Sequence, residues 1–210
     1  KVKIIRYLSL KNSDFKKLTS GKRLILPDPT LKDSDKGEFA EEDYYLRIKS
    51  KLENIVSNFP KLLILCRSLS EMDVYAKHIS QKFGTSYNVY TSRGDFYESF
   101  KSDKKAVLIL ANRYSGMDFP GKTCEVVVLT SIPWRCTPIE KFIESELNDI
   151  PYSEEKIALR LVQSFGRCNR SSSDLGLYIV LDGRFYLDFN QQKSYSKFYL
   201  ILIFRAIKNF

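Results

Sequence analysis

Histidine is almost missing from this chain: His78 is the single one in 210 residues. One imidazole removes His-based metal centres and speaks against a Ser-His-Asp triad; His78 reads as an ordinary residue on a helix surface. The cysteines Cys66, Cys124, Cys136 and Cys168 include no C-x-x-C pair. A zinc or iron–sulfur site built from them, or a disulfide framework, is therefore not indicated, and reduced thiols in an intracellular, cytoplasmic protein are the simplest account. The apolar stretch Tyr199 to Phe204 is far short of the roughly 20 residues that cross a bilayer. No membrane partner and no secretory leader are expected. No G-x-G-x-x-G or G-x-S-x-G occurs, and neither Gly21-Lys22 nor Gly121-Lys122 reads as a P-loop. The acid pairs Glu41-Glu42 and Glu154-Glu155 fall at helix starts, where capping and the helix dipole explain them.

Hydrophobic residues make up 43% and aromatic residues 13%, which argues for a packed globular core. The formal net charge is +9, which favours a polyanionic partner, a nucleic acid or a nucleotide. A first residue other than Met suggests a piece of a longer protein. The expected organisation is a lead-in or linker over residues 1–20, one domain over 21–185, and a C-terminal helical extension over 186–210.

Apolar runs alternate with helical periods. Val2 to Ile5 is a candidate short strand. Lys22 to Pro27 is a clearer one, followed by a polar loop to residue 40. Tyr45, Ile48, Leu52, Ile55 and Phe59 recur every three or four residues, so a helix ends before Pro60. Lys61 to Cys66 reads as a strand buried on both faces. Ser68 and Glu71 form a capping box that opens a helix with Met72, Tyr75, Ile79 and Phe83 as its stripe, ended by Gly84. Asn88 to Tyr90, Ala106 to Leu110, Cys124 to Thr130 and Leu175 to Leu181 follow as strands, with a short helix over Phe96 to Phe100. Thr137-Pro138 and Glu140 start another helix, whose apolar side is Ile139, Phe142, Ile143 and Leu147. Ser153-Glu154-Glu155 opens the next. Strand and helix in turn imply an α/β fold, a mostly parallel sheet with helices on both faces, whose ligand edge lies beyond the carboxyl ends of the strands.

Two stretches carry the chemistry. Gln163-Ser164-Phe165-Gly166-Arg167-Cys168-Asn169-Arg170 reads Q-x-x-G-R-x-x-R. On a continuous helix Gln163, Arg167 and Arg170 share one face, opposite Ala158, Leu161, Val162 and Phe165. Guanidiniums grip phosphate oxygens through several charge-assisted bonds, though on spacing alone a solvated arginine face is the more ordinary reading. The second stretch is the loop Asn112 to Gly121, with Gly116 and Asp118 in a G-x-D that is also commonplace in turns. Arginines suited to phosphate, without a phosphate cradle or an evident base, look like half of an active site.

Taken together, these stretches resemble the second RecA-like domain of a superfamily-two DEAD/DEAH-type helicase of the XPD/DinG branch. Asn112 to Gly121 is similar to that branch's fifth motif and Gln163 to Arg170 to its sixth. Ile132-Pro133-Trp134 and Leu181 to Phe185 are similar to its strand-end turns, and Lys61 to Ser68 to its fourth motif. The resemblance implies a RecA-like, P-loop-NTPase-type three-layer sandwich. It implies that Arg167 and Arg170 act as arginine fingers on the γ-phosphate of ATP, held with Mg2+ mainly by an N-terminal RecA-like domain of the same protein. Gln163 and Gly166 would face the nucleotide, and Asp118 with Gly116 would contact its ribose or couple it to the nucleic acid. Ser68, Thr91, Arg113 and Thr130 would hold the backbone of a single-stranded nucleic acid, DNA in the first instance. Ser115 departs from the family, standing where Glu or Asp is usual. The competing expectation is a non-catalytic module that keeps the fold and binds nucleic acid or a partner protein.

Overall fold

Leu62 to Cys66 and Ala106 to Leu110 are all apolar, and both runs are buried completely. A strand can have no polar face only where helices cover both sides of the sheet. The computed structural model describes residues 22–28, 41–114, 117–119, 123–133, 137–148, 150–168, 174–183 and 185. The expectations for Val2 to Ile5, for the lead-in over 1–20 and for the extension over 186–210 lie outside them.

The described elements are β1 (Lys22–Pro27), α1 (Glu41–Asn58), β2 (Lys61–Cys66), α2 (Leu69–Phe83), β3 (Asn88–Thr91), α3 (Tyr97–Ser102), β4 (Ala106–Ala111), β5 (Val126–Leu129), α4 (Pro138–Ser145), α5 (Ile150–Ser164) and β6 (Leu175–Val180). The strands form one sheet in the order β1-β6-β5-β2-β4-β3, and every described pairing is parallel. All six carboxyl ends therefore share one edge. The sheet's first and last strands in sequence pair with each other, Lys22 opposite Leu175 through Pro27 opposite Val180. Among the described strands β1 lies at the edge, where Pro27 is tolerated because no donor is needed on the outer side.

Two cores lie on the two faces. Ile48, Leu52 and Val56 of α1 and Met72, Tyr75 and Ile79 of α2 cover Leu62, Ile64, Val107 and Val128. On the other face Phe96 and Phe100 around α3 and Ile157, Ala158 and Leu161 of α5 cover Leu63, Leu65, Leu108, Leu110 and Val127. Each fully buried aliphatic side chain contributes about 1.5–3 kcal/mol, so these layers dominate the stability of the domain. The arrangement is the α/β sandwich that the alternating pattern implies.

Four boundaries or faces differ from the sequence reading. The strand expected over Cys124 to Thr130 is ladder-paired only over Val126–Leu129. Helix α5 begins at Ile150, so no acid falls in its first turn and Glu154-Glu155 do not serve the dipole there. It also ends at Ser164, before either arginine of the motif. Most of the expected apolar side of α4 stays out of the core: Ile139 is 68%, Phe142 55% and Leu147, beyond the helix end, 62% exposed, while Ile143 is half-buried. Its only buried residue is Glu140.

Candidate functional site

The carboxyl-terminal edge of the sheet gathers most of the candidate residues. Along β5-β2-β4-β3, Leu129 lies opposite Leu65, Cys66 opposite Ala111, and Ile109 opposite Thr91. The chain leaves these strands at Thr130, Arg67-Ser68, Asn112-Arg113 and Thr91. Four neighbouring strands at about 4.8 Å spacing place those exits in a row roughly 14 Å long.

Local chemistry sets each exit. Ser68 is the N-cap of α2, and its Oγ accepts from the Glu71 amide at 3.2 Å and pairs with Ser70 Oγ at 2.9 Å. The capping box is half formed, because Glu71 turns back to Arg67 instead of the cap. Its carboxylate accepts from the Arg67 amide at 3.0 Å and from Arg67 Nη2 at 3.1 Å. Asn112 has a φ of 53°, a left-handed conformation that Asn tolerates, and its amide donates to Cys66 O at 3.0 Å. The chain thereby bends away from β4 while staying tied to β2. Arg113 is exposed. Thr91 is half-buried at the end of β3. Thr130 is wholly buried, and both its amide and its Oγ1 donate to Leu65 O, at 3.1 and 3.3 Å. In this chain its hydroxyl ties β5 to β2 and does not face solvent.

The arginine motif departs most from its sequence reading. After Ser164 the backbone tightens: the Gly166 amide donates to Gln163 O at 3.2 Å and the Arg167 amide to Ser164 O at 3.3 Å. Three-residue turns replace the helical period. Gln163 stays exposed on the helix while Arg167 swings into the interior, 1% exposed. The shared helical face expected for Gln163 and Arg167 is therefore not formed. Arg167 Nη1 donates to Met117 O at 3.0 Å and Nη2 donates to Arg113 O. The Phe119 amide answers by donating to Arg167 O at 2.9 Å. The two candidate stretches thus meet directly, through a guanidinium on loop carbonyls. A Cβ on Gly166 would make only ordinary contact, 3.5 Å from the carbonyls of Gln163 and Val162. Asp118 is exposed, with its carbonyl accepting from Tyr97 Oη at 3.0 Å. Arg170, Gly116 and Ser115 lie outside the described residues.

Arg167 is fixed on both sides. The Phe165 ring packs edge-on against Tyr178 at 5.4 Å and Phe185 at 6.1 Å between centroids. The Cys168 thiol is buried, and its hydrogen bond with Cys124, followed by burial, pushes its titration well up. Burial likewise pushes the Cys66 thiol up. Neither is a reactive thiolate in this setting.

Two supporting residues are not among the candidate site residues of the sequence, although Asp182 lies in the family-like stretch Leu181 to Phe185. Asp182 is buried at the end of β6, and its Oδ2 accepts from the Ile132 amide at 2.8 Å, joining the exits of β5 and β6. Glu140 pairs with Arg160 of α5, whose Nη1 reaches it at 2.9 Å and Pro133 O at 3.4 Å. Its place as the third residue of a helix explained it as a capping acid, which hid the ion pair. Among the described residues no group of three or more His, Cys, Asp or Glu could hold a metal ion.

Gly116 to Thr123, Gly-Met-Asp-Phe-Pro-Gly-Lys-Thr, does fit the letters G-x-x-x-x-G-K-T, so a P-loop cannot be dismissed there on spacing. Context dismisses it. A P-loop runs from a strand into a helix whose N-terminal amides face the phosphates, whereas Thr123 leads into β5, and the next described helix is α4 at Pro138.

Comparison with known proteins agrees with this architecture. Two curated relatives cover 74% of the chain each: a Bacillus subtilis protein named 3'-5' exonuclease DinG, 25% identical over 174 residues, and a probable ATP-dependent helicase of Methanocaldococcus jannaschii, 24% identical over 184. The chain spans 18% and 28% of their lengths. Solved XPD structures share the fold. One has a TM-score of 0.59 and 18% identity, covering 83% of this chain and 34% of its own; another, the apo form, has 0.61 and 17%, covering 85% and 40%. The family model described as a helicase C-terminal domain matches residues 52–199, most of the described sheet and both candidate stretches, and the chain belongs to that family, in its XPD/DinG branch.

Proposed function

We propose that this chain is the second motor half of an ATP-dependent helicase or translocase that moves along single-stranded nucleic acid, DNA in the first instance. ATP and Mg2+ would be held mainly by an N-terminal RecA-like domain of the same protein. The observation that carries the reading is the contact of Arg167 with the carbonyls of Arg113 and Met117 beside a row of strand exits. In this reading a cationic segment and an edge that would grip a strand are in mechanical contact, as a motor coupling hydrolysis to movement requires.

In this reading Ser68, Thr91 and the exposed Arg113 hold successive phosphates without reading bases. Thr130 supports them from within the sheet. Arg167 and Arg170 form the segment that answers to the γ-phosphate, and Gln163, Gly166, Gly116 and Asp118 flank the nucleotide. Positive charge placed at the transferring phosphoryl group is worth about 10³–10⁵ in turnover. The net charge of +9 suits the polyanionic track.

The test is ATPase of the full-length protein with and without single-stranded DNA, beside its Arg170→Ala variant. The expected result is strand-stimulated turnover that falls roughly 10³-fold in the variant, with nucleotide binding retained. Unchanged turnover in the variant would sink the finger assignment. Strand binding with no turnover in the unaltered protein would favour the non-catalytic module.

A further inference from the structure

We infer that Arg167 is a positioning residue: it latches the 113–119 loop in the shape that presents Arg113 to a nucleic-acid strand, and leaves the phosphate-facing work of its segment to Arg170. The inference rests on the motor reading for what the loop holds, and on geometry alone for the latch.

Three observations carry it. First, Arg167 is 1% exposed. A buried guanidinium is costly unless it is hydrogen-bonded, and here Nη1 and Nη2 each donate to a main-chain carbonyl. Second, the two carbonyls belong to opposite limbs of one loop, Arg113 O and Met117 O. The planar fork of Arg can bridge two acceptors at a fixed separation, as the single ammonium of Lys cannot. The Phe119 amide closes the connection at 2.9 Å on Arg167 O. Third, the flanking residues are anchored. Phe165 is wedged between Tyr178 and Phe185, and Cys168 is buried beside Cys124. For Arg167 to reach a phosphate on another domain, it would have to release both loop carbonyls and drag an anchored turn with it.

A latch and a finger have different signatures. A finger acts only when nucleotide is present, so its loss lowers turnover and leaves nucleotide-free strand affinity untouched. A latch acts on the loop at all times. Its loss weakens strand binding without nucleotide, and weakens it through Arg113, so the two substitutions should not add.

The experiment uses the full-length protein with Arg167→Ala, Arg167→Lys, Arg113→Ala and the double variant Arg167→Ala/Arg113→Ala. Binding of a fluorescein-labelled twenty-residue oligo-dT is measured without nucleotide, and amide hydrogen exchange is followed by mass spectrometry. We expect Arg167→Ala and Arg113→Ala each to weaken oligo-dT binding about tenfold, the double variant to be no weaker than either, and Arg167→Lys to recover part of the loss. Peptides over 113–119 should exchange faster in Arg167→Ala while those over β2 and β4 keep their protection. Unchanged nucleotide-free affinity with lowered turnover would overturn the inference and make Arg167 a finger. Unchanged exchange over 113–119 would overturn it as well, even if the unaltered protein binds no oligo-dT, a result that would by itself refute the motor reading and not the latch. If Arg167→Ala fails to fold, Arg167→Lys carries the same two measurements: faster exchange confined to 113–119 supports the latch, and unchanged exchange there refutes it.

Discussion

Helices α2 and α4 open on the same pattern, Ser68-x-x-Glu71 and Thr137-x-x-Glu140, and in both the hydroxyl accepts the amide of the acidic residue at 3.2 Å. In both, the acid then abandons the cap for an arginine. Their apolar stripes nevertheless meet opposite fates. Met72, Tyr75 and Ile79 of α2 are fully buried, whereas Ile139, Phe142 and Leu147 are among the most exposed large apolar residues described. Helix α2 carries the chain from β2 to β3 and must lie on the sheet to do so. Helix α4 follows β5 where α5 already covers that face with Ile157, Ala158 and Leu161, so it packs on α5 from outside through Glu140 and Arg160. Equal local code thus specifies equal helices, and the layer they land in decides which face is buried.

The two helices should differ most at their stripes. Tyr75→Ala should cost about 4 kcal/mol of unfolding free energy, as for a large buried aromatic. Phe142→Ala should stay within about 0.5 kcal/mol, as at a surface site. Urea denaturation measures both, and similar losses would show that α4 is buried after all. The acids come next. Glu140→Ala leaves Arg160, with 18% of its side chain exposed, without its carboxylate and should cost about 3 kcal/mol. Glu71→Ala should cost about 1 kcal/mol, because Arg67 has 42% of its side chain in solvent. Equal costs would mean that solvent reaches both pairs alike.

The smallest effect concerns the tie that α2 has to α1. Lys82 of α2 bonds the Glu53 carboxylate, and His78 Nε2 lies 2.8 Å from its other oxygen. The Lys82 hydrogen bond chiefly holds Glu53 below the ordinary carboxylate range, with partial opposition from desolvation and a further contribution from His78. A depressed carboxyl contributes stability above its unfolded pKa and loses it as pH falls through the folded value. A slight acid-side drop in thermal stability is therefore expected, reduced in Lys82→Ala. The same pH profile in both proteins would show that the tie contributes nothing.

Much of the framework was legible in advance because it is local. The run Lys61 to Cys66 has no polar face and is a strand to the residue. The period from Tyr45 and the block at Pro60 place α1, which ends at Asn58. The cap hydroxyls of Ser68 and Thr137 act as their positions imply. The motif residues were legible as a set, but their directions were not. Gln163 and Arg167 share a face only if the helix continues, and it stops at Ser164. Thr130 looks available to a phosphate until its hydroxyl is seen bonded to Leu65 O.

The sequence alone determined the α/β alternation, the element types and the two stretches that mark the family, because hydrophobic period, capping and turn chemistry act over a few residues. Packing in three dimensions sets the pairing of β1 with β6, the single row of exits from β5, β2, β4 and β3, and the inward turn of Arg167 onto the carbonyls of Arg113 and Met117. Those outcomes depend on partners well separated in the chain, from Asn88 and Ala106 in the β3–β4 pair to Lys22 and Leu175 in the β1–β6 pair, where no local period reaches and only packing and the satisfaction of buried polar groups can choose.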